Sequence, residues 1–91
     1  MKLLLSPTFS RSAKKTIKKN PALSDNIRAT LRLLEIDLFH PQLKTHNLKA
    51  SLVGSMACSV AHDLRIIFVV IDHDGEQKIL LQTIGTHEEV Y

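Results

Sequence analysis

The feature that most constrains the fold is the run of residues 64–71, whose sequence LRIIFVVI is apolar at every position except Arg65. Successive side chains of a β-strand point to opposite faces of its sheet, so a strand of this composition must be covered on both faces. We therefore predict a central strand over residues 64–71. Asp74-Gly75 follows as a typical tight hairpin turn, and residues 78–84 are expected to return as the neighbouring strand.

Two segments of the N-terminal half predict a helical hairpin. A short strand at residues 3–5 ends at Ser6-Pro7-Thr8, where Ser6 or Thr8 is suited to cap a helix that runs to about Lys19. Asn20 is expected to cap the second helix, over residues 21–38, with Pro21 at its first position. Apolar residues recur along each helix with helical spacing, as Phe9, Ala13 and Ile17 in the first and as Leu23, Ile27, Leu31, Leu34 and Leu38 in the second, with Thr30 at the edge of that stripe.

These elements predict an α+β domain over residues 1–91: an N-terminal strand, a helical hairpin and then a mainly antiparallel, twisted sheet. Residues 56–61 are expected to form a further strand, whereas residues 39–55 are interpreted as a connection with a weak strand near residues 47–52. The hairpin should lie on one face of the sheet. One core is expected to hold Phe9, Ile17, Ile27, Leu31, Ile66 and Phe68.

Composition narrows the class of protein. The chain has 91 residues, enough for one domain, and lacks an apolar run of the roughly 18 residues that a membrane span requires. Its apolar N-terminal stretch is interrupted at Pro7, too early for a signal peptide. A lone cysteine, Cys58, has no disulfide partner and is expected to be a buried structural thiol. We therefore expect a cytoplasmic protein without a membrane association.

Charge is divided unevenly along the chain. Residues 1–50 contain ten Lys and Arg and three acidic residues, a net charge of +7, whereas residues 51–91 carry a net charge of −4. A basic half of this kind favours a polyanionic partner, either nucleic acid or an acidic protein, although a solvated lysine face accounts for it as well. The residues predicted to bind RNA or the ribosome are Arg11, Lys14, Lys15 and Lys18 on one face of the first helix, together with Lys49.

The residues suited to chemistry lie mostly in the second half. The histidines lack metal-ligand spacing, and there is no Gly-rich phosphate loop, so we predict neither a metal site nor a cofactor. Arg65 needs a partner, such as Asp63 or the chain-terminal carboxylate, or a groove to face. Antiparallel pairing across the Asp74-Gly75 turn brings it close to Ile84. Thr86 and Glu89 have capping-box spacing, which places a short turn after the last strand.

The segment DLRIIF at residues 63–68, the strand around residues 79–84 and above all the ending GTHEEVY at residues 85–91 resemble the RelE/ParE superfamily of bacterial toxins. The resemblance is closest to the YafQ-like branch of RelE-type messenger-RNA endonucleases and covers nearly the whole chain. It implies a RelE-like fold and a site formed by His46, Asp63, His87 and Tyr91. Arg65 stands where many RelE-type toxins carry a phosphate-contacting Arg.

The chain departs from that branch at two positions. Ser59 stands where the branch has a further His, and Leu64 stands where it has a Trp just after the Asp. The loss of one imidazole leaves two interpretations open: His62 substitutes from a different direction, or proton transfer rests on His46 and His87.

The resemblance implies a type II toxin that cleaves messenger RNA in the ribosomal A site and is inhibited by a cognate antitoxin. Metal-independent cleavage needs a base for the 2′-hydroxyl, an acid for the leaving 5′-oxygen and a cation for the phosphorane. We assign proton transfer to His87 and His46, the cationic role to Arg65, orientation to Asp63 and base stacking or a hydroxyl contact to Tyr91. The alternatives are a ParE-like inhibitor of DNA gyrase and an inactive member that only binds antitoxin or RNA.

Overall fold

The chain folds as a five-stranded sheet with two longer helices and one short helix. The computed structural model describes residues 1–48 and 54–91. Its elements are β1 (Lys2–Leu5), α1 (Pro7–Lys19), α2 (Leu23–Ile36), a 3₁₀ turn (Pro41–Leu43), β2 (His46–Asn47), β3 (Met56–Ala61), β4 (Leu64–His73), β5 (Glu76–Thr86) and α3 (His87–Val90). The strand order is β1-β5-β4-β3-β2, with β1 parallel to β5 and the other pairs antiparallel. The predicted α+β, mainly antiparallel architecture is confirmed.

β4 lies between β3 and β5 and is the central strand that its composition predicts. The turn to β5 is formed by Asp74 and Gly75 with φ angles of 55° and 79°, the left-handed values of the type I′ turn that such dipeptides favour. Farther along, Ile67 pairs with Thr83 and Phe68 pairs with Leu81, which leaves Gln82 as an extra residue in β5. This bulge was not predicted from the sequence.

The helical hairpin begins as predicted but its second helix is shorter. Ser6 caps α1, since the Phe9 N–H donates to Ser6 Oγ at 3.0 Å. The prediction that α2 begins at Pro21, with Asn20 as its cap, was wrong. Residues 20–22 form a turn in which the Leu23 N–H donates to the Asn20 carbonyl at 3.0 Å, and no side chain caps the helix. α2 also ends two residues early, because Asp37 is already extended.

The hairpin and the sheet share one hydrophobic core, as predicted. Phe9 of α1, Ile27 of α2, and Ile66 and Phe68 of β4 are buried together, and the predicted Ile17 and Leu31 pack against them partly exposed. α1 packs over β5 and α2 over β3. No helix within residues 1–48 and 54–91 is both long enough and apolar enough to cross a lipid bilayer.

Thr30 was predicted at the edge of the apolar stripe of the second helix, but the structure places it in the buried interior. It is buried, with 5% of its surface exposed, and its hydroxyl donates to the Asn26 carbonyl at 2.8 Å. This bond to the preceding helical turn satisfies the hydroxyl and lets a threonine occupy a buried position.

Residues 38–48, which follow the second helix, contain more regular structure than their composition predicts. A 3₁₀ turn occupies Pro41–Leu43, and the Thr45 hydroxyl donates to the Leu38 carbonyl at 2.6 Å. Of the weak strand predicted near residues 47–52, Asn47 lies in an observed strand, β2 (His46–Asn47), which pairs with Ala57 and Met56 of β3, whereas Leu48 lies beyond its end. The rest of that prediction, residues 49–52, lies outside the described residues.

Cys58 is fully buried in β3, and burial raises the pKa of its thiol to about 12. Because the thiolate is the reactive form, this raised pKa should make labelling of the folded protein at pH 8 about a thousandfold slower than labelling of the unfolded chain. The labelling rate can be measured with a disulfide reagent, without guanidinium chloride for the folded chain and with it for the unfolded chain. Rapid labelling of the folded chain would contradict the buried, structural role.

Candidate active site

A short helix after the last strand carries two of the predicted site residues. Thr86 caps α3 through a reciprocal pair of bonds: the Glu89 N–H donates to Thr86 Oγ1 at 3.3 Å, and the Thr86 N–H donates to Glu89 Oε1 at 2.8 Å. The bonds from Thr86 hold the pKa of the Glu89 carboxyl below its usual range. The capping box predicted from the sequence is therefore present, and it sets where His87 and Tyr91 lie.

Gly85 allows α3 to fold back against the end of β5. A Cβ atom at this position would lie 3.0 Å from Val90 Cγ1 and 3.1 Å from Glu89 Cβ, closer than nearly all contacts of real Cβ atoms. The packing between β5 and α3 thus requires a glycine for close approach.

The imidazoles of His46 and His87 meet at the ring of Tyr91. The His87 and Tyr91 ring centroids are 4.3 Å apart with an interplanar angle of 86°, an edge-to-face contact. Tyr91 Oη lies 3.2 Å from His46 Nε2. These three side chains come from β2 and α3, and all are exposed to solvent.

The hydrogen bonds of His46 define its tautomer when the ring is neutral. Its Nδ1 lies 3.0 Å from the Lys44 carbonyl, which can only accept, so Nδ1 carries the proton and Nε2 is left as the acceptor. The Tyr91 hydroxyl then donates to Nε2. Burial raises the pKa of the Tyr91 phenol although the nearby Arg65 opposes the shift, and the phenol is therefore the donor in this pair at neutral pH.

Arg65 lies at the start of β4 and is held by backbone oxygens. Its Nη1 donates to the carbonyls of Ala61, Leu64 and His62 at 3.1, 3.2 and 3.4 Å. It pairs across the sheet with Gly85, one residue from the predicted Ile84, and it lies beside Tyr91. Its observed partners are therefore carbonyl groups at and beside the turn between β3 and β4, not the carboxylate of Asp63 or of the chain terminus, and it also lines a cavity, which fits the third expectation, a groove to face.

Asp63 contacts the start of α3 through its backbone. Its Oδ1 accepts from the His87 N–H at 3.4 Å, so it reaches the main chain of His87 and not the imidazole. A carboxylate near the N-terminus of a helix is favourable. All five predicted site residues are thus adjacent to at least one other member: Asp63 contacts His87, and His87, His46 and Arg65 each adjoin Tyr91.

The sequence offered no signal for Lys44. This residue adopts a left-handed conformation, with a φ of 50°, which is uncommon without glycine or asparagine. That conformation ends the 3₁₀ turn and places the Lys44 carbonyl against His46 Nδ1. Lys44 is therefore a site-forming residue that sequence reasoning missed.

The two departures from the branch have different surroundings. Ser59 pairs across the sheet with Arg65 and is half-buried beside it, whereas Leu64 is buried in the hydrophobic core. His62 is exposed in the turn before Asp63. In the described part of the chain, no three His, Cys, Asp or Glu residues cluster as a metal site would require.

The basic face of α1 borders the site through a groove. Arg11, Lys14, Lys15 and Lys18 are all exposed, as predicted, while Lys49 lies outside the described residues. A groove of about 620 Å³ has Lys15 and Lys19 on one wall and Asp63 and Glu89 on the other. Its remaining lining is Ser12, Thr16, Asn20, Leu23, Ala61, His62, Leu64, Thr83, Ile84, Thr86 and Val90.

Solved structures of bacterial toxins share this fold. YafQ from E. coli strain BL21(DE3) is 20% identical over 98% of this chain and 96% of its own, with a TM-score of 0.80. A YoeB/ParE toxin from Agrobacterium tumefaciens is 17% identical over 96% of this chain and 99% of its own, with a TM-score of 0.78. A chain of the E. coli DinJ-YafQ toxin-antitoxin complex is 20% identical over 98% of this chain and 94% of its own, with a TM-score of 0.77.

Sequence comparison identifies the family. No curated protein sequence gives a significant match. The family model that describes the bacterial toxin YafQ of type II toxin-antitoxin systems matches residues 1–91, which is the whole chain. The chain therefore belongs to the YafQ family of bacterial type II toxins.

Proposed function

We propose that this toxin is a ribosome-dependent endoribonuclease that cleaves messenger RNA and thereby inhibits translation. The observation that carries the proposal is the convergence of His46 and His87 on the Tyr91 ring, with Arg65 beside it. Two imidazoles can supply the base and the acid that ribose-assisted cleavage of a phosphodiester requires, and a guanidinium can supply the cation. The ribosome as the place of cleavage follows from the resemblance to RelE-type toxins.

In this mechanism the imidazoles move protons and Arg65 stabilises charge. One histidine takes the proton from the ribose 2′-hydroxyl as that oxygen attacks phosphorus, and the other donates a proton to the departing 5′-oxygen. His87 is the leading candidate for proton transfer because its ring has no hydrogen-bond partner among the described residues, whereas both ring nitrogens of His46 are engaged. The guanidinium of Arg65 neutralises charge on the phosphorane. Asp63 orients His87 through the backbone.

The substrate and the antitoxin are proposed to reach the site from its exposed side. The basic face of α1 attracts RNA phosphates without reading sequence, and the groove beside Lys15 continues to Glu89 on α3. The solved DinJ-YafQ complex supports a cognate antitoxin for this family member as well. Residues 1–91 are proposed to form one toxin domain, which acts in the cytoplasm without a cofactor.

Replacing His87 by Ala should abolish growth inhibition while the fold is retained. Loss of a proton-transfer group typically lowers the rate by a factor of about 100 to 10,000. Primer extension on messenger RNA after induction measures cleavage. The control is His73→Ala, which removes an exposed imidazole of the β4–β5 hairpin whose polar contacts, among residues 1–48 and 54–91, are with Asp74 and Lys78. If His87→Ala cleaved near the parent rate, the assignment would fail. A supercoiling assay with DNA gyrase should then test the ParE-like alternative.

Replacing Gly85 by Ala should impair cleavage with little loss of stability. The new Cβ displaces Val90 and Glu89 by a few tenths of an ångström and so shifts the helix that carries His87 and Tyr91. Misplaced catalytic groups cost up to about a hundredfold in rate, so we expect a loss of about ten- to a hundredfold.

The matched control is Gly75→Ala at the hairpin turn, where a positive φ makes alanine unfavourable by about 1 kcal/mol but α3 is untouched. Thermal melts and single-turnover cleavage should thus separate the two variants. An active Gly85→Ala or an inactive, folded Gly75→Ala would contradict the role of close packing at α3.

Replacing Arg11, Lys14, Lys15 and Lys18 together by Gln should weaken binding to the ribosome but not the chemical step. These side chains are exposed, and their attraction to phosphates is screened by salt. Binding measured against salt concentration should therefore show a shallower slope than for the parent chain. If single-turnover cleavage at saturating ribosome fell by as large a factor as ribosome binding, the result would instead require a catalytic lysine on α1.

A further inference from the structure

A second cavity lies beside Arg65 and outside the cluster of His46, His87 and Tyr91. It has a volume of about 310 Å³, roughly ten times the volume that one water molecule occupies in the liquid. Its polar side chains come from Gln42, Lys44, Ser59, His62 and Arg65, and the rest of its lining is Val60 and Ala61. The space is thus large enough for a charged group of several atoms.

The charges around this cavity all favour an anion. Lys44 and Arg65 are both cationic, and no Asp or Glu is among the lining residues. The Lys44 ammonium forms no side-chain hydrogen bond or ion pair with the described residues, and the same holds for the Gln42 amide and the Ser59 hydroxyl. Donors without partners that face one space are suited to bind oxygen atoms of a ligand.

The backbone brings these donors together from two directions. Ser59 and Arg65 are directly opposite each other in the β3–β4 ladder, so their side chains project from the same face of the sheet. Lys44 arrives from the 3₁₀ turn, where its left-handed conformation ends the turn. Since a serine side chain is short, it leaves the space between these two cations open.

The position of the cavity relates it to the proposed site. The Lys44 carbonyl binds His46, and Arg65 lies beside Tyr91, so both cations of the cavity adjoin the proposed proton-transfer groups. The geometry points to a subsite for a backbone phosphate of single-stranded RNA next to the scissile linkage, with Lys44 and Arg65 as its cations and Ser59 and Gln42 as neutral donors. This inference rests on the proposed function, of which it specifies how the substrate is held.

Binding of an uncleavable RNA tests the subsite without any need for catalysis. A fluorescent pentanucleotide with 2′-O-methyl riboses is titrated into the folded chain, and anisotropy is measured against salt concentration. Lys44→Gln should weaken binding about three- to fivefold at low salt and lower the salt slope by about 0.7, the value for one phosphate contact on a single strand. The matched control is Lys2→Gln, which removes the same charge from the exposed first residue of β1, at the opposite edge of the sheet.

Two further measurements complete the test. One distinguishes the effect of the cavity's shape on RNA binding from the effect of its charge, and the other distinguishes binding of RNA from binding of a free anion. Ser59→Leu narrows the cavity beside Arg65 without a change of charge, and a variant that folds by circular dichroism should bind RNA as weakly as Lys44→Gln. Inorganic phosphate should displace the RNA only at far higher concentration than an unlabelled pentanucleotide does. Should Ser59→Leu fail to fold, Lys44→Asn supplies the second variant, because asparagine tolerates the left-handed conformation.

Parent-like binding by Lys44→Gln, by Lys44→Asn or by a folded Ser59→Leu would overturn the subsite. An equal loss in Lys2→Gln would overturn it too, because the effect would then come from net charge. Displacement by inorganic phosphate as readily as by the pentanucleotide would show a site for free anions. A chain that binds RNA in this manner but leaves messenger RNA intact on the ribosome would instead refute the nuclease proposal alone.

Discussion

The structure depends on the burial of β4 from both sides. Ile66 and Phe68 face the helical hairpin without exposed surface, while Ile67, which points the other way, is 1% exposed. Successive residues of this strand, which point alternately to its two faces, must therefore all be apolar wherever both faces are covered. Arg65 lies at that end, and its desolvation is offset by three carbonyl groups of the adjoining turn. The proposed site is thus located where the central strand leaves its hydrophobic surroundings.

The elements that the sequence predicts well are those with a sustained period. The two helical stripes, the central strand and the Asp74-Gly75 turn were recognised because each is encoded by neighbouring residues. The start of α2 was misplaced because Asn20-Pro21 suits a cap and a turn equally well, and the turn is favoured here by the backbone bond from Leu23 to Asn20. The bulge at Gln82 has no local signal, since it arises from the pairing of distant strands.

The candidate site shows the same division between local and distant information. The capping box of Thr86 and Glu89 lies within four residues of sequence, so the short helix that carries His87 was predictable. The pairing of β4 with β5 was predicted to within one residue, despite the bulge. The path of His46 is set by the pairing of β2 with Ala57 and by the left-handed Lys44, which no pattern in residues 39–48 indicates. Its place in the site was therefore inferred from family resemblance and not from periodicity.

The parallel pairing of β1 with β5 has a consequence for the order of folding. Lys2 pairs with Lys78 and Leu5 with Leu81, so the first strand of the chain is completed by the last. Contacts between residues so far apart in sequence are slow to form, because the intervening loop must lose its entropy first. During synthesis β1 must wait, without its strand partner, until β5 has left the ribosomal exit tunnel. His87 follows β5 directly, so the contacts that join His46, Tyr91 and His87 form only after β5 has emerged.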